Sequence, residues 1–227
     1  MRLKFFSLAL LVIVATIAPR SLRAQYLHPK VAKKEVSIRN VVIVPARVEI
    51  VKQSMKGPEG MVAESDLLSA RVTQLVVEAL QAKHIAALTI APGGGNEADA
   101  QKKYTLSDIQ SRYDELLPKI RKKPKDVKNG RFSLGDEVLN LNLDKSADTI
   151  IFIRGSGQKL TKGKTAFTLL VGGVPPYLQL TIGFVDAHTG EVLVFTTPLT
   201  RGDATSPNEK PLRKSIEKSL KKVPPGQ

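Results

Sequence analysis

The stretch Ala-Asp-Thr-Ile-Ile-Phe-Ile-Arg-Gly (147–155) begins the part of the sequence that decides the fold. Two further apolar runs follow it, YLQLTIGFV (177–185) and EVLVFTT (191–197), and the polar pentapeptide DAHTG (186–190) connects them. Two runs rich in β-branched residues around a short connector that contains Gly predict a β-hairpin. Residues 147–155 predict a central strand, which we expect the glycine at its end to terminate.

The polar connector of this hairpin predicts a turn. Asp186, Thr189 and Gly190 are the expected turn residues, with Gly190 in the positive-φ conformation that lets the chain re-enter the sheet. Asp186 and His188 could also form an acid/base pair. We favour the structural interpretation, because turn residues of these types usually make local hydrogen bonds to the backbone.

The segment before the central strand alternates between strand and helix patterns. NVVIVPARVEIV (40–51) predicts a strand buried on both faces and interrupted at Pro45, and residues 53–64 predict a loop. Apolar residues at helical spacing predict a helix over 65–83 with Ser65 as its N-cap, and residues 85–90 predict a second strand. A second helix is expected to begin at residue 105, with an acid at 108 as a cap and a bend or end at Pro118.

The segment after the central strand is less regular. Residues 157–164 predict a basic turn, and the apolar run 166–174 could be a strand or an exposed loop. Residues 208–222 predict a basic amphipathic helix with three apolar residues on one side, Leu212, Ile216 and Leu220. The order of elements predicts an α/β fold, with a single mixed sheet of about five strands, helices over it, a closing β-hairpin and a C-terminal helix.

Residues 1–24 are typical of a secretory signal peptide. A positive start, an apolar run over 5–18 and a small residue at Ala24 match its three regions, with cleavage expected after Ala24. The alternative is a membrane anchor, but a run of fourteen residues is shorter than the ~20 that span a bilayer. We therefore expect a periplasmic or extracellular protein. Since the chain has no cysteine, it has no disulfide and no lipid anchor attached through cysteine.

The sequence predicts one α/β domain over 40–222, with a basic helical insert at about 93–145. A basic tether at 25–39 and a tail at 223–227 are expected on either side. The formal charge is +14. Four of the 35 basic residues lie in the signal segment, which leaves 31 basic against 21 acidic residues for the rest of the chain. Such a surplus predicts an anionic partner.

The densest basic run is KIRKKPKDVKNGR (119–131). It is either a solvated surface or a contact with anionic lipid or a cell-wall polymer. We do not expect nucleic acid as the physiological partner, because the export signal separates the protein from genomic DNA. The candidate contact residues are Lys119, Arg121, Lys122, Lys123, Lys125, Lys128 and Arg131.

Patterns for catalysis, metals and cofactors are absent from the sequence. The histidines at 28, 84 and 188 do not form a pair with zinc-ligand spacing. Gly155-Ser156-Gly157 lacks the Gly-x-Ser-x-Gly frame of a nucleophile elbow, and the glycine run 93–95 lacks the residues of a phosphate-binding loop. We therefore expect no enzymatic activity, no metal and no cofactor; an extracytoplasmic hydrolase is the less favoured alternative.

Four segments resemble the envelope α/β domains of the TolB amino-terminal, curli-secretion lipoprotein and penicillin-binding-protein activator type. They are VVIVPARV (41–48), the helix at 65–83, LDKSADTIIFIRGSG (143–157) and LTIGFVDAHTGEVL (180–193). The resemblance covers about 150 residues and implies a non-catalytic role in envelope assembly, export or wall synthesis through contacts with another envelope protein. It departs from the lipoprotein branches in having no acylated cysteine. Partner identity and oligomeric state are left open.

Overall fold

The computed structural model describes residues 25–90, 97–143, 146–170 and 175–226. These residues form a mixed sheet with helices on both faces, which confirms the α/β class. The described part contains nine strands rather than about five. They are β1 (Gln25–Leu27), β2 (Asn40–Ile43), β3 (Arg47–Ser54), β4 (Gly57–Gly60), β5 (Ala86–Thr89), β6 (Thr149–Leu160), β7 (Tyr177–Asp186), β8 (Val192–Thr196) and β9 (Leu199–Arg201).

Five α-helices and two 3-10 helices accompany the sheet in the described residues. The α-helices are α1 (Pro29–Ala32), α2 (Val62–Gln81), α3 (Glu97–Lys122), α4 (Lys162–Leu170) and α5 (Lys210–Leu220). The 3-10 helices span Pro124–Asn129 and Asp136–Leu141.

The sheet is organised around β6 and β7. Its main path runs β1-β8-β7-β6-β2-β5, with β2 parallel to both β5 and β6 and the other pairs on that path antiparallel. Both central strands are long enough to pair with two strands in succession. β6 pairs first with β2 and then with β3, while β7 pairs with β9 and then with β8. Pro45 lies between β2 and β3, where its lack of an N–H interrupts no ladder.

Alternation along β6 explains the two cores. Ile151 and Ile153 face the layer of α2 and α5, whereas Ile150 and Phe152 face α3 and the 3-10 helices. A strand with helices on both sides must be apolar at every position, as this run is. The segment predicted as a basic insert therefore supplies the cover of one whole sheet face.

The predicted boundaries at both ends of the domain are wrong. Residues 25–39 were expected to be a tether, but β1 pairs with β8, and Val31 and Ile38 are buried in the core. Residues 223–227 were expected to be a tail, yet Val223 is buried and Gly226 donates its N–H to the Lys83 carbonyl. A few apolar side chains within otherwise polar segments hold both ends of the chain on the domain. Such isolated residues give no periodic pattern in the sequence.

The start of α2 differs from the prediction. The helix begins at Val62, and the expected loop over 53–64 contains β4 in a hairpin with β3. Ser65 is not an N-cap. Its hydroxyl donates to the carbonyl of Met61 and accepts the N–H of Ile50. The serine lies on the inner face of the helix, where it accepts a hydrogen bond from β3.

Two more hydroxyls on α2 repeat this arrangement one turn apart. Ser69 accepts the N–H of Val48, and Thr73 accepts the N–H of Ala46, each at about the same distance of 2.9–3.0 Å. Each hydroxyl also donates to the carbonyl four residues earlier in the helix. Ser65, Ser69 and Thr73 thereby accept the N–H groups of Ile50 and Val48 on the open edge of β3 and of Ala46 just before it. At such an edge, unpaired strands otherwise pair with another chain.

The second helix and the segment after β6 also differ from the predictions. α3 begins at residue 97 instead of 105 and continues past Pro118, and the acid at 108 forms an ion pair with Arg112 instead of capping the helix. β6 continues through Gly155 to Leu160, because its glycines make room for apolar side chains of Val48, Leu180 and Ile50. Residues 162–170 form a helix where a turn and then a strand or loop were expected. The glycine run 93–95 lies outside the described residues.

Candidate functional site

The basic run 119–131 forms the end of α3 and a 3-10 helix that is anchored in the core. Val127 is fully buried, and Gly130 ends the 3-10 helix with a φ of 64°. The N–H groups of Gly130 and Arg131 donate to the carbonyls of Val127 and Asp126 at 3.1 and 3.2 Å. The run is therefore a folded platform, fixed on its inner side by apolar contacts and at its end by a left-handed cap.

This platform rests on β1 and on the residue that follows it. The Lys128 ammonium lies 6.0 Å from the centre of the Tyr26 ring, within the range of a cation–π contact. His28 caps α1, accepting the N–H of Lys30 on Nδ1 at 3.2 Å. Its Nε2 faces Gly130 so closely that a Cβ there would lie 2.6 Å away. The segment predicted as a tether thus supports the basic run.

His28 is only 4% exposed. Burial lowers the pKa of its imidazole below the ordinary value of 6.5, because a charged ring would lose its hydration there; the nearby Glu191 carboxylate opposes this effect. The neutral ring is the form whose Nδ1 can accept a hydrogen bond. His28 is therefore a structural histidine of the interface between β1 and the basic run.

All seven predicted contact residues are exposed. Arg131 is 3.6 Å from Asp126. For the other six, Lys119, Arg121, Lys122, Lys123, Lys125 and Lys128, no ion pair forms within the described part of the chain. A cluster of exposed cations with a single internal carboxylate partner presents a concentrated positive surface to solvent.

The predicted turn residues lie at the connector between β7 and β8, where they make contacts with backbone groups. Asp186 Oδ1 accepts the N–H groups of His188 and Thr189, both at 2.8 Å, and Gly190 has a φ of 69°. Gly190 also packs against the backbone of Gly135, leaving no space for a Cβ. The Asp186 contacts go to backbone groups, as the structural interpretation of the turn expects.

An ion pair between α3 and β6, which joins a buried arginine to a partly exposed aspartate, was not predicted from the sequence. Arg154 is 7% exposed and holds Asp114 with two hydrogen bonds, from Nε at 2.6 Å and from a terminal nitrogen at 3.2 Å. Arg47 adds a longer contact of 3.6 Å to the same carboxylate, and the Arg154 guanidinium lies 5.8 Å from the Tyr113 ring centre. The available signal was a single Arg inside an otherwise apolar strand, a position that requires a partner of opposite charge.

Two features are absent from the residues that the structure describes. No group of three or more His, Asp or Glu side chains within them could hold a metal ion. Among the same residues, no helix has the length and apolar character needed to span a bilayer. The predicted signal segment 1–24 lies outside them.

Comparison with known proteins finds neighbours among solved structures only. No family model matches the chain, and no curated protein sequence is significantly similar to it. PelC from Paraburkholderia phytofirmans, solved as a dodecamer, is 15% identical with a TM-score of 0.41, over 90% of this chain and 98% of that chain. Lipoprotein GNA1162 from Neisseria meningitidis is 11% identical with a TM-score of 0.35, over 81% and 95% of the two chains.

The C-terminal domain of LpoB from Salmonella enterica is also similar. It is 11% identical with a TM-score of 0.26, over 78% of this chain and 96% of that domain. At these identities and scores the likeness carries no argument about this chain. The resemblance seen in the sequence therefore stays a prediction at the level of the family.

Proposed function

We propose that this chain is a non-enzymatic accessory protein of the cell envelope that acts through contacts with another envelope protein. One observation carries the proposal: the basic run 119–131 is a folded platform with six exposed cations that have no ion-pair partner within the described residues. Holding like charges together is unfavourable unless a partner of opposite charge neutralises them. The platform is the surface on which such a partner binds.

Anchoring of the run makes it suited to specific binding. Because Val127 and Gly130 fix the backbone, a partner that contacts Lys125 and Lys128 meets preformed positions and loses less chain entropy than it would with a disordered tail. Charges on such a surface mainly raise the association rate and make binding dependent on salt. The partner surface is accordingly expected to be acidic.

A second candidate function uses the same platform without a protein partner. In this alternative, the cations bind anionic lipid or cell-wall polymer directly, with each basic residue near an anionic surface contributing about 1 kcal/mol. The charge and exposure of the run favour both candidates. The two candidate functions predict different results after lipid and wall material are extracted. A protein partner stays bound to the chain in the first, and nothing stays bound in the second.

Retention on envelope fractions tests the platform. We expect that changing Lys122, Lys123, Lys125 and Lys128 together to Gln releases most of the protein from washed envelopes. Added salt should release the wild-type protein as well, because it screens the same charges. The control variant also loses four positive charges, but from exposed positions outside the platform: Lys33, Lys34, Lys56 and Lys210 are changed to Gln. This variant should be retained like the wild type. Equal retention of both variants would mean that the platform is a solvated surface.

A further inference from the structure

A second basic surface lies on the other face of the sheet, between α5 and the strands β8 and β9. It is a groove of about 660 Å³ that contains five cations and no acidic side chain in its lining. The cations are Arg201, Lys214, Lys218, Lys221 and Lys222, and none of them forms an ion pair within the described part of the chain. We propose that this groove binds a linear polymer with repeating phosphate groups.

The acids nearest to the helix are turned away from the groove. Glu209 contacts Arg71 at 3.1 Å and Arg213 at 3.9 Å, and Arg213 also pairs with Glu78. Glu217 lines the concavity on the other side of α5, beside Ala79 and not beside β9. Lys214, Lys218 and Lys221 border both concavities, but no acid of α5 lines the groove itself. The groove lining therefore carries charge of one sign, unlike the mixed charge of an ordinary solvated surface.

The spacing of the lysines fits a chain of anions. Lys214 and Lys218 are four residues apart on α5, so their side chains start about 6 Å apart along its axis, and Lys222 follows shortly after the helix ends at Leu220. Lysine offers three donors on a flexible stem and can follow phosphates that are not held in one fixed geometry. Arg201 stands on β9 across the groove, so a chain lying in it meets cations from both sides.

Polar groups of the floor are available to such a chain. No hydrogen bond forms within the described residues from the hydroxyls of Thr197 and Thr200, both of which line the groove. Gln25 accepts the N–H of Lys222 on Oε1 at 3.0 Å, which ties the end of the lysine row to β1. The remaining Gln25 amide nitrogen is buried and has no partner within the described residues. Phosphate oxygens of a bound polymer can accept hydrogen bonds from the two threonine hydroxyls.

The shape of the groove favours a chain over a membrane surface. A protein that binds a bilayer usually inserts apolar side chains beside its basic residues. The large exposed apolar residues within the described part all lie elsewhere; they are Met55, Val62, Leu67, Leu88, Tyr104, Leu139 and Leu170. A concave, cationic groove without such residues admits a polymer and keeps a flat headgroup layer outside it.

This inference goes beyond the proposed function, because it uses a different surface from the run 119–131. Its test is direct binding of a labelled glycerol-phosphate oligomer to the full chain, measured by fluorescence anisotropy across a salt series. We expect the binding constant to fall with salt. The slope of its logarithm against the logarithm of the salt concentration should become shallower by roughly 0.7 for each lysine removed. Changing Lys214, Lys218, Lys221 and Lys222 to Gln should weaken binding at least tenfold, on the order expected for loss of several phosphate contacts.

Matched variants keep the outcome interpretable. The control with Lys33, Lys34, Lys56 and Lys210 changed to Gln, which has the same net charge, should bind the oligomer like the wild type. The variant of the run 119–131 should also bind normally, so that failure of the proposed function and failure of the groove are separate results. Equal binding by the groove variant and the wild type would overturn the inference. Binding to phosphatidylglycerol vesicles or to polygalacturonate in place of the oligomer would overturn it as well.

Discussion

Replacing Gly183 by Ala tests how tightly α3 is held on the sheet. A Cβ at this position in β7 would lie 2.9 Å from Cζ of Tyr113 and 3.0 Å from its Cε2, against the ~3.5–4.0 Å at which carbon atoms pack. The tyrosine ring cannot turn aside, because it is fully buried and stacked on Phe152 at a centroid distance of 4.5 Å. Overpacking of this kind costs about 1–3 kcal/mol.

The expected result is a fall in the free energy of unfolding by that amount, seen as a melting temperature lower by roughly 3–10 °C. Urea unfolding followed by circular dichroism measures it. Gly163→Ala is the control, since a Cβ there meets nothing within 4 Å and the site lies in the first turn of α4, so it should not destabilise the protein. A variant at position 183 as stable as this control would refute the packing argument.

A second change separates steric contact from other effects of the alanine. The Tyr113 hydroxyl is buried without a hydrogen-bond partner in the described residues, so Tyr113→Phe alone should cost little. It also removes the atom nearest to the new Cβ. The double variant should therefore recover part of the loss, with a coupling of about 0.5–3 kcal/mol. Strict additivity of the two changes would contradict a direct clash.

Two further predictions concern the support of β1 and the edge of β3. Because burial lowers the pKa of His28, the unfolded chain takes up its proton at a higher pH than the folded chain. The stability contributed by His28 is complete above pH 6.5 and is lost as the pH falls toward the lowered folded-state value. Denaturant unfolding at neutral and mildly acidic pH should show a smaller acid loss for His28→Gln than for the wild type. An equal loss would assign the acid sensitivity to other groups. Thr73→Val should destabilise by about 1–3 kcal/mol, because it leaves the N–H of Ala46 without its acceptor, and Thr73→Ser should retain most of the stability. Similar unfolding curves for the Val and Ser variants would contradict a role for the hydroxyl.

Strong periodic patterns made the centre of the fold predictable from the sequence. The β7–β8 hairpin and the C-terminal helix are where they were expected, and the single strand predicted over 40–51 is present as β2 and β3 on either side of Pro45. Each depends on side chains that alternate or step within one element, so local sequence carries the information. Gly190 shows the same: its positive φ follows from the turn alone.

Features that depend on distant partners were not predictable in this way. β1 is three residues long and is recognisable as a strand only through its pairing with β8. Gly155 ends a strand by local rules, but here Leu180 and Val48 fill the space above it and the strand continues. Ser65 is of a residue type that often caps helices, but here it lies inside α2 and accepts the N–H of Ile50. Tertiary contacts decided each of these outcomes.

The candidate sites divide along the same line. The basic run 119–131 was visible as composition, whereas its anchoring by Val127 and its contact with His28 required the structure. The groove beside α5 was less visible, because its cations come from β9 and α5 and its lack of acids depends on where Glu209 and Glu217 lie. A charge pattern shows that cations exist. Only the fold shows which of them face one another.

The most direct test of the proposed function is crosslinking in intact cells from a photoreactive residue placed within the run 119–131, followed by mass spectrometry of the joined material. The run is exposed and folded, so a residue at Asn129 can carry the crosslinker without disturbing Val127. The account predicts one recurrent envelope protein, lost when Lys122, Lys123, Lys125 and Lys128 are changed to Gln. Crosslinks to lipid or wall material alone, or to no recurrent partner, would contradict it.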